Sequence, residues 1–227
     1  MLRLFLPLEL TLMHESVIFD LDGTLIDSAP SILASFVYAF DAVGMTPAVA
    51  ISADVVGPPL MATLATLAGH DDAEVLAQLA AQFKAHYDRE GYQQSLVYAG
   101  VEALLTRLQQ AHFNLYIATN KRAEPTQKIM QFLNWAPYFK GVFALDSFTP
   151  PLVAKPLMVA QILNDFQIEP KNAIYIGDRY EDGLAADHNQ MAFAMVGWGY
   201  ADPAVTTLKP HWLFCEHVAD LEQLLLA

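Results

Sequence analysis

Short apolar runs alternate with longer stretches of helical periodicity along most of the chain. Ser16-Val-Ile-Phe19, Phe113-Asn-Leu-Tyr-Ile-Ala118, Gly141-Val-Phe-Ala-Leu145, Ala173-Ile-Tyr-Ile176 and Ala192-Phe-Ala-Met-Val196 are rich in β-branched and aromatic residues. Each is short and continuous in its apolar character, which predicts strands buried on both faces. Between them, Val101 to Gln110 places Val101, Leu104, Leu105 and Leu108 on one helical face, and Pro156 to Phe166 repeats the spacing with Leu157, Val159, Ala160, Ile162 and Leu163. Pro156 suits a first helical turn, where its missing N–H costs nothing. Strands alternating with helices predict an α/β fold: a doubly wound parallel sheet covered on both faces.

One segment departs from the alternation. From about Pro30 to Tyr98 the pattern is helical, with no convincing strand, and Ser31 to Val43, Asp54 to Leu67 and Asp72 to Arg89 are the expected helices. Gly44, Pro47, Gly57-Pro58-Pro59 and Gly69 punctuate them. The expected organisation is therefore a core made of residues 13–28 and 99–227 with an all-helical insert over 29–98. The insert leaves the first strand and returns just before Gly100, so it should lie over the carboxyl edge of the sheet. Open parallel sheets bind ligands at that edge. Bending near Asp27 to Pro30 and Tyr98 to Gly100 would let the insert act as a lid.

Composition narrows the classes of partner. The formal charge of -13, from 25 acidic and 12 basic residues, disfavours nucleic acid and anionic membrane surfaces. The stretch Leu4 to Leu12 is short and interrupted by Pro7 and Glu9, far from the roughly 20 residues of a spanning helix. It also lacks a cleavage site of small residues, and Met13 is an alternative start, so residues 1–12 are set apart from the functional reading. The single cysteine, Cys215, follows Trp212-Leu213-Phe214 and reads as a buried strand thiol; without a second cysteine, a reducing cytoplasm is the expected compartment.

The polar residues that break the pattern fall where expected strands end: Asp20-Leu-Asp22-Gly-Thr24, Thr119-Asn120-Lys121-Arg122, Lys155-Pro156 and Gly177-Asp178-Arg179-Tyr-Glu-Asp182. Singly, each has an ordinary structural explanation, a turn, a helix entry or a solvated charge. Together they predict convergence on one site. Asp20, Asp22, Asp178 and Asp182 would set four negative charges against one positive charge from Lys155. Such a cluster cannot stay ionised and dry, and a hard divalent cation such as Mg²⁺ is the natural remedy. Cation and Lys155 would then admit a small phosphorylated metabolite. A proton kept on Asp22 would ease the repulsion and provide a general acid.

Phe19-Asp-Leu-Asp-Gly-Thr-Leu-Ile-Asp27, Ile117-Ala-Thr-Asn120, Lys155-Pro156 and Ile176-Gly-Asp-Arg-Tyr-Glu-Asp182 resemble, in order and spacing, the four motifs of the haloacid dehalogenase superfamily. The resemblance runs from Ser16 onward, and the helical insert is similar to the small cap of the phosphoglycolate phosphatase branch. It implies a Mg²⁺-dependent phosphomonoesterase with a Rossmann-like core. Asp20 would be the nucleophile that forms an aspartyl phosphate, and Asp22 the acid and then the base. Thr119, Asn120 and Lys155 would hold the phosphate. Asp20, the backbone carbonyl of Asp22, and Asp178 would ligate the metal, with Asp182 orienting groups behind them. His188 beside Asp187 is read as a surface residue, not a dyad.

Asp22 argues against a dehalogenase, which releases no alkoxide needing an acid. The motifs leave open a sugar-phosphate mutase of the same superfamily, and a non-catalytic binding protein is the remaining alternative. Thr24 leans toward hydrolases by resemblance. Selectivity is assigned to the insert, where Gly57 and Pro58 of Gly57-Pro58-Pro59-Leu60 resemble a specificity loop, although a plain helix break would look the same. Its only bases are Lys84 and Arg89. If either faces the site, a substrate carboxylate such as that of phosphoglycolate is expected; if neither does, a neutral sugar phosphate fits better.

Overall fold

The computed structural model describes residues 14–200 and 208–227, so the N-terminal stretch, Met13 included, lies outside the described residues. The expected strands form the centre. β1 (Ser16–Phe19) is followed by the two-residue β2 (Ile26–Asp27), helices α1 (Ala29–Val43), α2 (Leu60–Ala68) and α3 (Ala73–Tyr87), and β3 (Leu96–Val97). Then come α4 (Val101–Gln110), β4 (Asn114–Thr119), α5 (Ala123–Phe132), β5 (Phe139–Ala144) and α6 (Lys155–Asp165). β6 (Ala173–Gly177), α7 (Tyr180–His188), β7 (Ala192–Val196), β8 (Leu213–Cys215) and α8 (Val218–Leu226) complete the chain.

Six strands make one parallel sheet in the order β5-β4-β1-β6-β7-β8. Apolar side chains alternate between its faces, as the two-residue period of a strand requires. Val17, Phe19, Ile117, Ile174 and Ile176 join a cluster with α4 and α8, while Ile18, Tyr116, Tyr175 and Phe193 join another with α6 and α7. On α6 the buried apolar residues are Met158, Val159, Ile162 and Leu163; Leu157, expected inside, is 43% exposed. β8 keeps Cys215 buried, and burial followed by nearby Asp220 pushes its thiol up to about 12, so it carries no thiolate chemistry at neutral pH.

The inserted segment is helical as expected, with three corrections. Leu96 and Val97 pair antiparallel with Asp27 and Ile26, a two-stranded ribbon too short to show a period in the sequence. The expected helix Asp54 to Leu67 is split into a single 3₁₀ turn at Ala53–Val55 and α2, because Gly57 adopts φ +123° and Pro59 caps α2 in an extended conformation. α1 begins two residues early, at Ala29, with Pro30 in its first turn. α1, α2 and α3 enclose a separate apolar cluster that includes Phe36, Phe40, Leu64, Leu67, Leu79 and Phe83.

Candidate active site

β1 lies between β4 and β6, and Phe19 is level with Ile117 and Ile176. The carboxyl ends of these three strands are therefore adjacent, and the residues after them meet. Asp20 stands at the end of β1, its N–H donating to the Ile176 carbonyl at 2.8 Å. Thr119 ends β4 and is 1% exposed. Asp178 follows β6 and is fully buried. Lys155 enters from the first turn of α6, and Asp182 from the first turn of α7.

Carboxylate oxygens of Asp20, Asp178 and Asp182 lie within 4.8 Å of one another. The Lys155 ammonium sits 2.6 Å from Asp182 Oδ1 and 3.0 Å from Asp20 Oδ1. The second approach is an ion pair off the hydrogen-bonding direction, which leaves Asp20 Oδ1 buried without a hydrogen-bond donor. Asp182 Oδ2 also accepts from the Arg179 N–H at 3.0 Å. Asp178 accepts from the Tyr200 N–H at 2.8 Å and from Thr24 Oγ1 at 3.4 Å. Burial, with Asp182 and Asp22 adding to it, pushes the Asp20 carboxyl up to about 7 in spite of Lys155. Burial and the charges of Asp182 and Asp20 push Asp178 up to about 8. Burial alone would lower Lys155, but Asp182 and Asp20 hold it well above its ordinary value. The protein alone thus leaves surplus negative charge here, together with an unsatisfied oxygen. A donor set of hard carboxylate oxygens fits a divalent cation.

Gly23 makes the arrangement possible. Its φ is +82°, and a Cβ there would stand 2.3 Å from Asp178 Oδ2. Only glycine tolerates both the left-handed backbone and the close approach of the buried carboxylate.

Asp22 has partners of its own. Both of its oxygens accept from Lys121 Nζ at 3.0 Å, and Oδ1 also accepts from the Ser28 hydroxyl. The Lys121 side chain is only 5% exposed. Its ammonium lies 4.7 Å from the centre of the Tyr87 ring, at the end of α3. The count of one cation against four carboxylates therefore omitted a second buried lysine. Lys121 stands inside the Thr119 to Arg122 cluster, so the signal was present, but sequence spacing does not tell where a four-carbon stem points.

The same strand end reaches across to the inserted helices. Asn120 Nδ2 donates to the Gly57 carbonyl at 3.2 Å, and Arg122 forms a two-pronged pair with Asp88. Lys128 Nζ donates to the Asp88 carbonyl at 3.0 Å. Arg179 donates to the carbonyls of Ala53 and Val56. Tyr200 ties the first turn of α1 to the Asp178 loop: its hydroxyl accepts from the N–H groups of Ser28 and Ala29 at 2.7 and 3.0 Å, and donates to Asp27 at 3.0 Å. Tyr87 and Tyr200 carried no sequence signal for the site, because their partners are distant in the chain; Arg179 stood inside the Gly177 to Asp182 cluster, but its partners on the insert could not be read from it.

Gly57 and Pro58 line a cavity above Asp22. Lys84 and Arg89 are not brought there. Lys84 follows Phe83 on α3, and a step of one residue turns it off the face that buries Leu79, Phe83 and Tyr87. Arg89 is exposed and pairs with its neighbour Glu90. Asp187 is drawn away from His188: it accepts from Lys209, His211 and Trp212 Nε1, which fastens α7 to the segment before β8. His188 is exposed.

A cluster of buried carboxylates beside a lysine thus lies at the carboxyl edge of a parallel sheet roofed by inserted helices, the edge where open parallel sheets bind ligands. The chain belongs to the haloacid dehalogenase-like hydrolase family, whose model matches residues 17–196. It is 32% identical to the tyrosine-protein kinase PtkA of Mycobacterium tuberculosis over 202 residues, which cover 86% of this chain and 68% of that one. It is 30% identical to the phosphoglycolate phosphatase of Cereibacter sphaeroides over 222 residues, covering 93% and 99%. Among solved structures it is similar to a predicted phosphatase from Clostridium acetobutylicum, with a TM-score of 0.83 and 27% identity over 94% of this chain and 98% of that one. No helix among the described residues is long and apolar enough to cross a membrane.

Proposed function

We propose that this phosphatase hydrolyses a small phosphomonoester by way of an aspartyl phosphate, with Asp20 as nucleophile and Asp22 as acid and base, and that it works in the cytoplasm. The observation that carries the reading is the separation of the two aspartates. Asp20 keeps a buried oxygen without a hydrogen bond, set between the carboxylate cluster and Lys155, while Asp22 is turned toward Lys121 and the cavity. They are two residues apart, yet differently employed.

In the first step an Asp20 oxygen attacks phosphorus as the bond to the leaving oxygen breaks, and Asp22 gives that oxygen its proton. In the second, water attacks the same phosphorus, Asp22 takes the water's proton, and the Asp20–phosphorus bond breaks to release inorganic phosphate. Asp20, Asp178 and the backbone carbonyl of Asp22 would hold Mg²⁺, which when bound neutralises charge and orients phosphoryl oxygens. Lys155 neutralises the nucleophile and the arriving phosphate, and Asp182 holds Lys155 in place. Thr119, buried at the end of β4, would contact the phosphate. Asn120 is given a second task, holding the Gly57 loop against the core. Residues 29–98 act as the lid, hinged where Tyr200 grips the start of α1.

The test is release of inorganic phosphate from a panel of phosphomonoesters after exhaustive chelation and after return of Mg²⁺. Activity should vanish and return, with less restored by Ca²⁺, whose longer bonds and higher coordination number spoil in-line geometry. Full turnover without metal contradicts the reading, and conversion of a sugar phosphate to its isomer without phosphate accumulation favours a mutase.

A further inference from the structure

The cavity between the inserted helices and the core has a volume of about 60 Å³. The space is open to solvent on one side, so it shapes the part of a leaving group nearest Asp22. Its upper wall is Ile32, Phe36, Val56, Leu60, Phe83 and Tyr87. This wall is packed aromatic surface: the Phe36 and Phe83 rings are 4.7 Å apart, and those of Phe83 and Tyr87 are stacked at 5.5 Å.

Each charged or polar side chain at the cavity has a partner already, with one exception. Lys121 is spent on both oxygens of Asp22, and Arg122 on both oxygens of Asp88. Asn120 donates to Gly57, and the Thr63 hydroxyl turns to the carbonyls of Val55 and Pro58. The exception is Tyr87, 1% exposed, whose hydroxyl meets no partner in hydrogen-bonding geometry among the described residues, although it stands near enough to Lys121 to help hold the proton on that ammonium. A carboxylate placed here would have to compete with Asp22 for Lys121 and with Asp88 for Arg122, which leaves its desolvation poorly offset. A polyhydroxyl sugar would leave most of its hydroxyls unpaired against the aromatic wall.

We infer that the leaving group this cavity accepts is small, uncharged and largely apolar, with one hydrogen-bonding oxygen directed at Tyr87. The inference rests on the phosphatase reading and sets its substrate apart from phosphoglycolate. Tyr87 is then a specificity-determining residue, and Leu60, half-buried at the start of α2, is the position where charge selectivity can be rewritten.

Hydroxyacetone phosphate and phosphoglycolate test this directly, since an acetyl and a carboxylate group of nearly equal size differ in charge. With Mg²⁺ present, kcat/KM should favour hydroxyacetone phosphate by about tenfold or more, and glucose 6-phosphate should be poorer than either. Tyr87→Phe should raise KM for hydroxyacetone phosphate roughly tenfold more than for propyl phosphate, which lacks the oxygen. Leu60→Arg should shift the preference toward phosphoglycolate. Preference of the unaltered protein for phosphoglycolate, or equal effects of Tyr87→Phe on both esters, would overturn the inference and leave the phosphatase reading standing. Turnover of none of the esters would overturn both.

Discussion

Beneath the cavity, the strand ends bring Asp20, Asp22, Asp178 and Asp182 into burial with Lys155 and Lys121 among them; above it, the inserted helices present aromatic and aliphatic side chains and turn Lys84 and Arg89 to solvent. The floor is charged and over-filled with carboxylates. The roof is neutral and shaped. Chemistry at phosphorus is the same whatever alcohol leaves, so it belongs in the rigid floor, where strand register and a tight glycine turn set positions. On the proposed reading, choice of alcohol needs only a wall that fits, and that wall sits on the inserted helices. The two meet through polar contacts, Asn120 to Gly57, Arg122 to Asp88 and Arg179 to Val56, and through a small apolar link in which Tyr92 packs against both clusters and edge-on to Phe132. An interface of this kind opens at low cost.

Substitutions in the two halves should therefore fail in different ways. The largest effect is expected from Lys155→Met, which leaves Asp20 and Asp182 buried without their cation. Removing one partner of such a pair costs about 3–5 kcal/mol, and the metal-free protein should lose that stability in denaturant melts. Turnover should fall by about 10²–10³-fold or more for every ester alike. An effect confined to some substrates would place Lys155 in the roof's function instead. A smaller effect is expected from Arg122→Ala, which removes a two-pronged, largely buried contact between core and lid. A loss of about 1.4 kcal/mol in closure would raise KM roughly tenfold and leave kcat little changed. Arg89→Ala, at an exposed pair, should change stability by less than about 0.5 kcal/mol and leave KM where it was. If Arg89→Ala raised KM as much as Arg122→Ala, the assignment of lid contacts would be wrong.

The floor was far more legible in the sequence than the roof, for a physical reason. β1 and β7 coincide with the expected Ser16–Phe19 and Ala192–Val196, since continuous apolar runs of that length fit few other states. Once strands are placed, the residues after them are placed as well, and Asp20, Thr119 and Asp178 meet where the alternation puts them. Lys121 on Asp22 and Tyr200 on α1 were not legible, because a long side chain or a loop aromatic chooses partners by tertiary packing. The roof offered helical periodicity but no register between helices, so it could not show that Phe83 and Tyr87 face the cavity and Lys84 does not. β2 and β3, two residues each, carry too little period to be read, whereas the apolar run before Cys215 was enough to read that residue as a buried strand thiol, as it is in β8.

The central claim is that Asp20 and Asp22 have unequal roles, and pre-steady-state kinetics of Asp22→Asn with p-nitrophenyl phosphate tests it most directly. This leaving group needs little protonation, so the phosphoryl group should still move to Asp20. Hydrolysis of the intermediate would then lack its base, an assistance typically worth about 10²–10⁴-fold. Rapid mixing should show a burst of p-nitrophenol and a slowly decaying phosphorylated protein labelled at Asp20, and Asp20→Asn should show neither. A label on any other residue, or a burst from Asp20→Asn, would contradict the account.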